Sequence, residues 1–330
     1  MFNNNCTKYV IPSEYLVIDE TLYPMRHEIA FLQYNPNKPA KYGLLFKSIN
    51  DARFPFTYQA TVCAGKPQSG NGPHYIDETE NYIKYFVTQM EKDMSLQGRN
   101  ISMDRLYTSI YIAQWLLGKR MTVVGTLQMD RIGIPDKLKS TKDQEDLSST
   151  IYWEEEKKDM VMCTYTVKTK SNSWENVLML STMQPLLGIT RDDDKKKPAL
   201  YKFYDFTKGG TDIVDQKIGS YTCTAKSPKW KMVALYYILD TIRINATTLL
   251  ALTEKQDPKK MNSFDVGWEL AMSLVIPNIS RRNRNGLNIL IQRKIKTIVG
   301  NVQPAERHLE NDVNFPKIGD KRQRCKSCLR

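Results

Sequence analysis

Short apolar runs bounded by turn residues interleave along this chain with longer stretches whose apolar positions recur every three or four residues, which predicts alternating strands and helices. Tyr15-Leu16-Val17-Ile18 predicts a buried strand and delivers Asp19-Glu20 at its end. Beyond a loop rich in Pro, Asn and Lys (Asn35 to Lys41), Tyr42 to Ile49 and Phe56 to Cys63 predict two further strands, with Asn50-Asp51-Ala52-Arg53 suited to a hairpin between them. Tyr82, Ile83, Phe86, Val87, Met90 and Met94 share one face of a helix of about four turns, with Gly98 as its C-cap. Arg99 to Met103 predicts a short strand ending at Asp104, Leu106 to Leu117 a helix, and Met121 to Leu127 a fifth strand. The first dozen residues carry no periodicity and read as a tail.

The resulting order, β-β-β-α-β-α-β, implies an α/β fold with a mixed sheet and resembles the RNase H-like arrangement of nucleases and transposases. Asp19 and Asp104 would then be neighbours at one end of that sheet, each with an ordinary alternative role as a turn residue or helix N-cap. A third acid is required from a helix crossing the same end. Thr207-Lys208-Gly209-Gly210-Thr211-Asp212-Ile213-Val214-Asp215-Gln216 offers one, because carboxylates at i and i+3 share a helix face. The glycine pair permits a sharp turn and a close approach. Asp212 as N-cap and Asp215 as its box-like partner is the structural alternative.

Between residues 131 and 198 the pattern turns polar and irregular, with strand-like runs only at Met160 to Val167 and Val177 to Ser181, and this stretch reads as an insertion. Asp192-Asp193-Asp194-Lys195-Lys196-Lys197 closes it as a solvated loop, a metal site being the weaker alternative because consecutive side chains diverge and the lysines partly neutralise them. Beyond Gln216 the chain becomes helical and basic. Lys226, Lys229, Trp230 and Lys231 combine cations with an aromatic, either to contact DNA or with Trp230 in the core. The helix that follows places Met232, Leu235, Tyr236, Leu239, Ile242, Ala246 and Leu249 on one face. Arg281, Arg282 and Arg284, with Arg293-Lys294-Ile295-Lys296, form a second strip suited to DNA backbone or nuclear import.

A net charge of +12 spread over 330 residues suits a polyanionic partner. The most apolar long stretch, residues 232–252, is interrupted by Asp240 and Arg243, so no membrane span is expected. Six cysteines, most of them far apart, predict reduced thiols, and His27, His74 and His308 lack a cysteine pair at zinc-finger spacing. The acids therefore carry the chemistry. Water or a 3′-hydroxyl is a poor nucleophile at neutral pH, and two divalent ions about 3.5–4 Å apart activate it while stabilising the leaving oxygen. Mg²⁺ takes hard oxygen ligands for this, and converging aspartates without metal would repel one another and hold protons.

Leu16-Val17-Ile18-Asp19-Glu20, the loop Tyr34 to Gly43, Met103-Asp104-Arg105-Leu106-Tyr107-Thr108-Ser109 and Thr207 to Gln216 together resemble the successive motifs of piggyBac-type DDE transposases, over Tyr15 to Leu250. The resemblance implies an RNase H-like catalytic domain (15–130 and 199–221) interrupted by an insertion domain (131–198). It further implies a helical dimerisation and DNA-binding region (222–305) and a linker leading into a Cys-rich zinc domain (306–330), of which Cys325 and Cys328 would be half a zinc site. Residues 1–14 would be the remnant of a preceding region, making the chain truncated at both ends. Implied activity is Mg²⁺-dependent cut-and-paste transposition at TTAA targets through hairpinned ends, with Mn²⁺ as substitute, double-stranded DNA as partner, a homodimer as assembly and the nucleus as location. Asp19, Asp104 and Asp212 match the catalytic triad and Asp215 the family's additional aspartate. Departures stand at Arg26-His27-Glu28, where the family commonly has Arg-Gly-Arg, and at Arg105-Leu106-Tyr107, where it has Asn-Trp-Phe or similar. The other reading is a domesticated DNA-binding protein without nuclease activity.

Overall fold

The computed structural model describes residues 2–64, 76, 78–139, 145–153, 159–168, 173–183, 196–281 and 286–300. In chain order the elements are α1 (Phe2–Tyr9), β1 (Tyr15–Pro24), β2 (Gln33–Tyr34), β3 (Tyr42–Asp51), β4 (Thr57–Val62), α2 (Thr79–Met90), β5 (Asn100–Met103), α3 (Ile110–Gly118) and β6 (Thr122–Thr126). They continue as α4 (Asp136–Lys139), β7 (Ser149–Trp153), β8 (Val161–Lys168), β9 (Trp174–Ser181), α5 (Ala199–Thr207), α6 (Gly210–Ser220), α7 (Trp230–Thr253), α8 (Ser263–Arg281) and α9 (Ile289–Gly300).

All the strands join one mixed sheet in the order β2-β3-β1-β5-β6-β9-β8-β7, with β4 also on β3. β1, β5 and β6 run parallel, and β3 runs antiparallel to its neighbours β1 and β4. This is the predicted order with one two-residue strand, β2, added. Side chains alternate across the sheet, and the alternation sorts the layers. Leu16, Ile18, Ile101, Met103 and Val123 face α2 and α3 with Ile83, Phe86, Val87, Ile112 and Leu116. On the opposite face Tyr23 and Phe46 meet Val214 and Ile218 of α6 and Val233 and Tyr237 of α7, while Val124 meets Leu200 and Tyr201 of α5.

Four expectations change. Residues 2–9 are a helix, not a tail: Asn3 Nδ2 donates to the Ala60 carbonyl at 3.0 Å, its Oδ1 accepts from the Ala60 amide at 3.0 Å, and Cys6 is buried. Its polar sequence shows no apolar face because pairing with the β4 edge, and not a wide stripe, holds it. The helix expected from Leu106 begins instead at Ile110, capped by Ser109, whose Oγ accepts from Ile112 N at 3.2 Å. α2 ends at Met90, well short of Gly98. The stretch read as an insertion supplies an unforeseen strand, β7, and its β9 pairs with β6, so its strands prolong the main sheet.

The inward face of α7 is also different. Met232, Leu235, Leu239 and Ile242 are exposed, and Val233, Tyr237, Asp240, Thr241, Ile244, Asn245 and Thr248 turn inward. Polar partners decide this. Asp240 accepts from the Tyr23 hydroxyl at 2.8 Å and from the Cys223 amide at 2.9 Å, and Thr248 Oγ1 donates to the Pro55 carbonyl at 2.7 Å. Asn245 meets both backbone groups of Thr57, accepting from its N–H and donating to its C=O, each at 2.9 Å. Asn245→Ala leaves both unpaired in the core and is expected to cost roughly 2–4 kcal/mol, measured as a lower urea midpoint with unchanged slope.

The chain divides into two compact units, residues 1–268 and 269–330. The second contains the later part of α8, which carries Pro277, and α9. No helix among the described residues is long and apolar enough to cross a membrane.

Candidate active site where β5 ends beside β1

β1 and β5 are adjacent parallel strands with Ile18 opposite Met103, and Asp104 directly follows the last residue of β5. Asp19, expected at the end of its strand, lies instead inside β1, which stays paired with β3 (Asp19 opposite Ser48) and runs on to Pro24. The two acids are therefore neighbours where β5 stops. Asp104 opens a tight turn: its Oδ1 accepts from the Leu106 amide at 2.9 Å, and its carbonyl accepts from Tyr107 N at 3.2 Å and Thr108 N at 3.0 Å. It is a turn residue and not the cap of α3. Gly125 makes room for this turn, because a Cβ there would stand 2.2 Å from Thr108 Oγ1 and 2.6 Å from the Met103 carbonyl.

The second pair of acids arrives on α6, and the motif around it has a physical role at nearly every position. Thr207, at the end of α5, shares a buried 2.6 Å hydrogen bond with Ser102 of β5. Thr211 accepts from Asn50 Nδ2 of β3 at 2.7 Å. Between them Gly210 lies directly on β1 and β3: an added Cβ would stand 2.4 Å from the Asp51 carbonyl and 2.6 Å from Val17 Cγ1. Gly209, with nothing within 4 Å, is the N-cap. Asp212 is therefore the third helical residue and not the cap, and no side chain caps the helix. Its carboxylate is exposed on the first turn, where the helix dipole favours negative charge. Asp215, one turn on, is half-buried and accepts from Thr21 Oγ1 of β1 at 2.6 Å.

Electrostatics divide these acids into two linked pairs. Burial pushes Asp19 up to about 7, with the Glu20 and Asp104 charges adding to the rise and Lys38 opposing it. Asp104 is raised by burial and by Glu20. Burial lifts Asp215 to about 6, again with help from Asp212 and Glu20 and against Lys38 and the Thr21 hydrogen bond. Glu20 thus bears on both pairs, and Lys38, whose Nζ donates to the Glu20 carbonyl at 2.9 Å, is the cation common to Asp19 and Asp215. Among the described residues no three His, Cys, Asp or Glu side chains stand close enough together to hold a metal ion. The donors are all hard oxygens presented in pairs. That suits Mg²⁺, which usually takes one or two protein carboxylates and completes its shell with water and phosphate.

Of the basic residues expected at DNA, Lys226, Lys229 and Lys231 are exposed. Trp230 is given to packing: it is half-buried against the α7 core and meets Phe31 edge-on with ring centroids 5.2 Å apart. Arg281 is exposed at the end of α8, while Arg282, Arg284, Cys325, Cys328 and Asp192 to Asp194 lie outside the described residues. The described cysteines, Cys6, Cys63, Cys163 and Cys223, are free thiols. Glu20, Thr21, Lys38 and Tyr107 were not singled out by sequence as site residues. The strand period alone would have put Thr21 on the Asp19 face.

The family model described as Transposase IS4 matches residues 1–247. A piggyBac transposase solved by cryo-EM, in a synaptic complex with hairpin DNA, is similar to this chain with a TM-score of 0.76 and 25% identity. The match covers 96% of this chain and 63% of that one, so the chain spans less than two thirds of that transposase's length.

Proposed function

We propose that this chain, which belongs to the IS4 transposase family and is a DDE transposase of piggyBac type, cleaves and transfers DNA strands in cut-and-paste transposition. The observation that carries this is the meeting of Asp19, within β1, and Asp104, where the parallel neighbour β5 ends, with α6 seated on β1 and β3 by Gly210. Asp19 and Asp104 would hold one Mg²⁺ or Mn²⁺, and Asp212 and Asp215 are the acids available to a second. Bound Mg²⁺ supplies activation of water or a 3′-hydroxyl and neutralises charge at the leaving oxygen. The chain's own residues fix the acids: Thr21 orients Asp215, and the Leu106 amide orients Asp104.

The substrate in this reading is double-stranded DNA with TTAA at the target. The net charge of +12 and the exposed Lys226, Lys229 and Lys231 support it, through phosphate contacts that weaken with salt. A homodimer is the assembly in this reading, supported by the exposed apolar row Met232, Leu235, Leu239 and Ile242 on α7, and the nucleus would be its place of action. Zn²⁺ would enter only with a Cys-rich domain that completes the half site at Cys325 and Cys328.

The test is Mn²⁺-dependent nicking of a TTAA-containing plasmid by the full chain and its Asp104→Asn variant. Loss of about a thousandfold or more in rate is expected, since a metal ligand contributes several kcal/mol to the transition state. Nicking that needs no metal, or survives the substitution, contradicts the proposal. Salt-sensitive DNA binding without nicking by the wild type would establish the DNA-binding protein instead.

A further inference from the structure

We infer that Glu20 and Tyr107 form a positioning pair that straps the Asp104 turn to the Asp19 strand and so sets the spacing of the two acids. Tyr107 belongs to the turn that begins at Asp104, whose carbonyl accepts its amide at 3.2 Å. Its side chain is fully buried, with 0% exposure, and its hydroxyl donates to Glu20 Oε2 at 3.0 Å. Glu20 directly follows Asp19 on β1, and the strand period points it to the opposite face of the sheet. The hydrogen bond therefore closes behind the acids, between the two backbone segments that carry them.

Lys47 locks the arrangement from the third strand. It pairs with Glu20 in the β1–β3 register, and its ammonium stands 4.1 Å from the centroid of the Tyr82 ring and 5.2 Å from that of Tyr107. A buried cation held over two rings restrains the ring that carries the donating hydroxyl, and its charge compensates the half-buried Glu20 carboxylate. The remaining Asp104 contacts are hydrogen bonds within its own turn, to Leu106, Tyr107 and Thr108. The Tyr107–Glu20 bond joins that turn to β1.

The significance for catalysis rests on the metal-dependent reading above, but the strap can be tested without metal. Hydrogen exchange of the 104–108 amides in the full chain is compared among wild type, Tyr107→Phe, Glu20→Ala, the double variant and Glu20→Gln. The strap predicts about tenfold faster exchange in Tyr107→Phe, a similar rise in Glu20→Ala, no further rise in the double variant, and recovery in Glu20→Gln, whose amide oxygen still accepts the hydroxyl. Unchanged exchange in Tyr107→Phe, or additive effects in the double variant, would overturn it. Mn²⁺ affinity, measured in parallel beside Asp19→Asn, separates the roles. Weaker binding in Tyr107→Phe and Glu20→Ala but not in Glu20→Gln fits positioning, whereas Glu20→Gln failing as badly as Asp19→Asn would make Glu20 a ligand and overturn the positioning role. If the wild type binds no Mn²⁺, the metal-dependent reading fails while the exchange results still decide on the strap.

Discussion

Asp19→Asn will make the metal-free protein more stable at pH 8, by up to roughly 4 kcal/mol, and will make little difference near pH 3. Burial and the adjacent Glu20 and Asp104 charges raise the Asp19 carboxyl from 3.8 to about 7. The folded state therefore keeps its proton where the unfolded chain has lost it. Below about pH 3.8 the carboxyl is neutral in both states and adds no penalty. Between 3.8 and 7 the fold loses stability as pH rises, and above 7 the whole penalty is present. Asparagine keeps the shape and the acceptor for the Glu20 amide, now 2.8 Å away, but cannot ionise. Urea titrations of both proteins across this range check the difference, and a gap that does not grow with pH would contradict it. Divalent metal should stabilise the wild type at pH 8 and leave Asp19→Asn unmoved, because the cation supplies the missing counter-charge.

Gly210→Ala carries the other large effect. The nearest atoms to its new methyl would be the Asp51 carbonyl at 2.4 Å and Val17 Cγ1 at 2.6 Å, and Ala52 Cα lies at 3.2 Å. Backbone cannot swing aside as a side chain can, so α6 must lift from the sheet. The expected cost is about 1–3 kcal/mol, although alanine is about 1 kcal/mol the better helix former. Lifting α6 also strains the Thr211–Asn50 and Asp215–Thr21 hydrogen bonds, so metal affinity should fall with stability. Gly209→Ala is the control: nothing stands within 4 Å of its added methyl, and its φ of −78° is open to alanine. Equal denaturant midpoints for the two variants would refute this account of the glycine pair.

The sequence made the central sheet and its acids legible because both depend on local pattern. Leu16 to Ile18 and Ile101 to Met103 are apolar enough to be buried strands, and the acid directly after each run is visible without knowing the fold, whereas the continuation of β1 through Asp19 to Pro24 is not. The motif from Thr207 to Asp215 was legible as a unit, but its internal logic was not. Which glycine touches the sheet, and that neither aspartate caps the helix, follow from where α6 meets Asp51 and Val17. Helix α7 shows the limit most clearly. Its apolar residues extend around most of its circumference, so counting them could not choose a face, and Asp240, Asn245 and Thr248 chose it through partners on distant segments. α1 escaped for the same reason, since Asn3 finds its partner 57 residues away. Tyr107 looked in sequence like a departure from the family pattern, and only the register that sets Glu20 beside Lys47 shows its hydroxyl to have a partner.

Mn²⁺ binding by calorimetry to the full chain and its Asp104→Asn variant, with circular dichroism as the folding control, tests the central claim most directly. Binding by the wild type that a folded Asp104→Asn protein loses is the predicted result, with Asp104 and Asp19 acting as one cation site. A folded wild type that binds no Mn²⁺ even with TTAA-containing DNA present, or an Asp104→Asn variant that binds it undiminished, would contradict the claim.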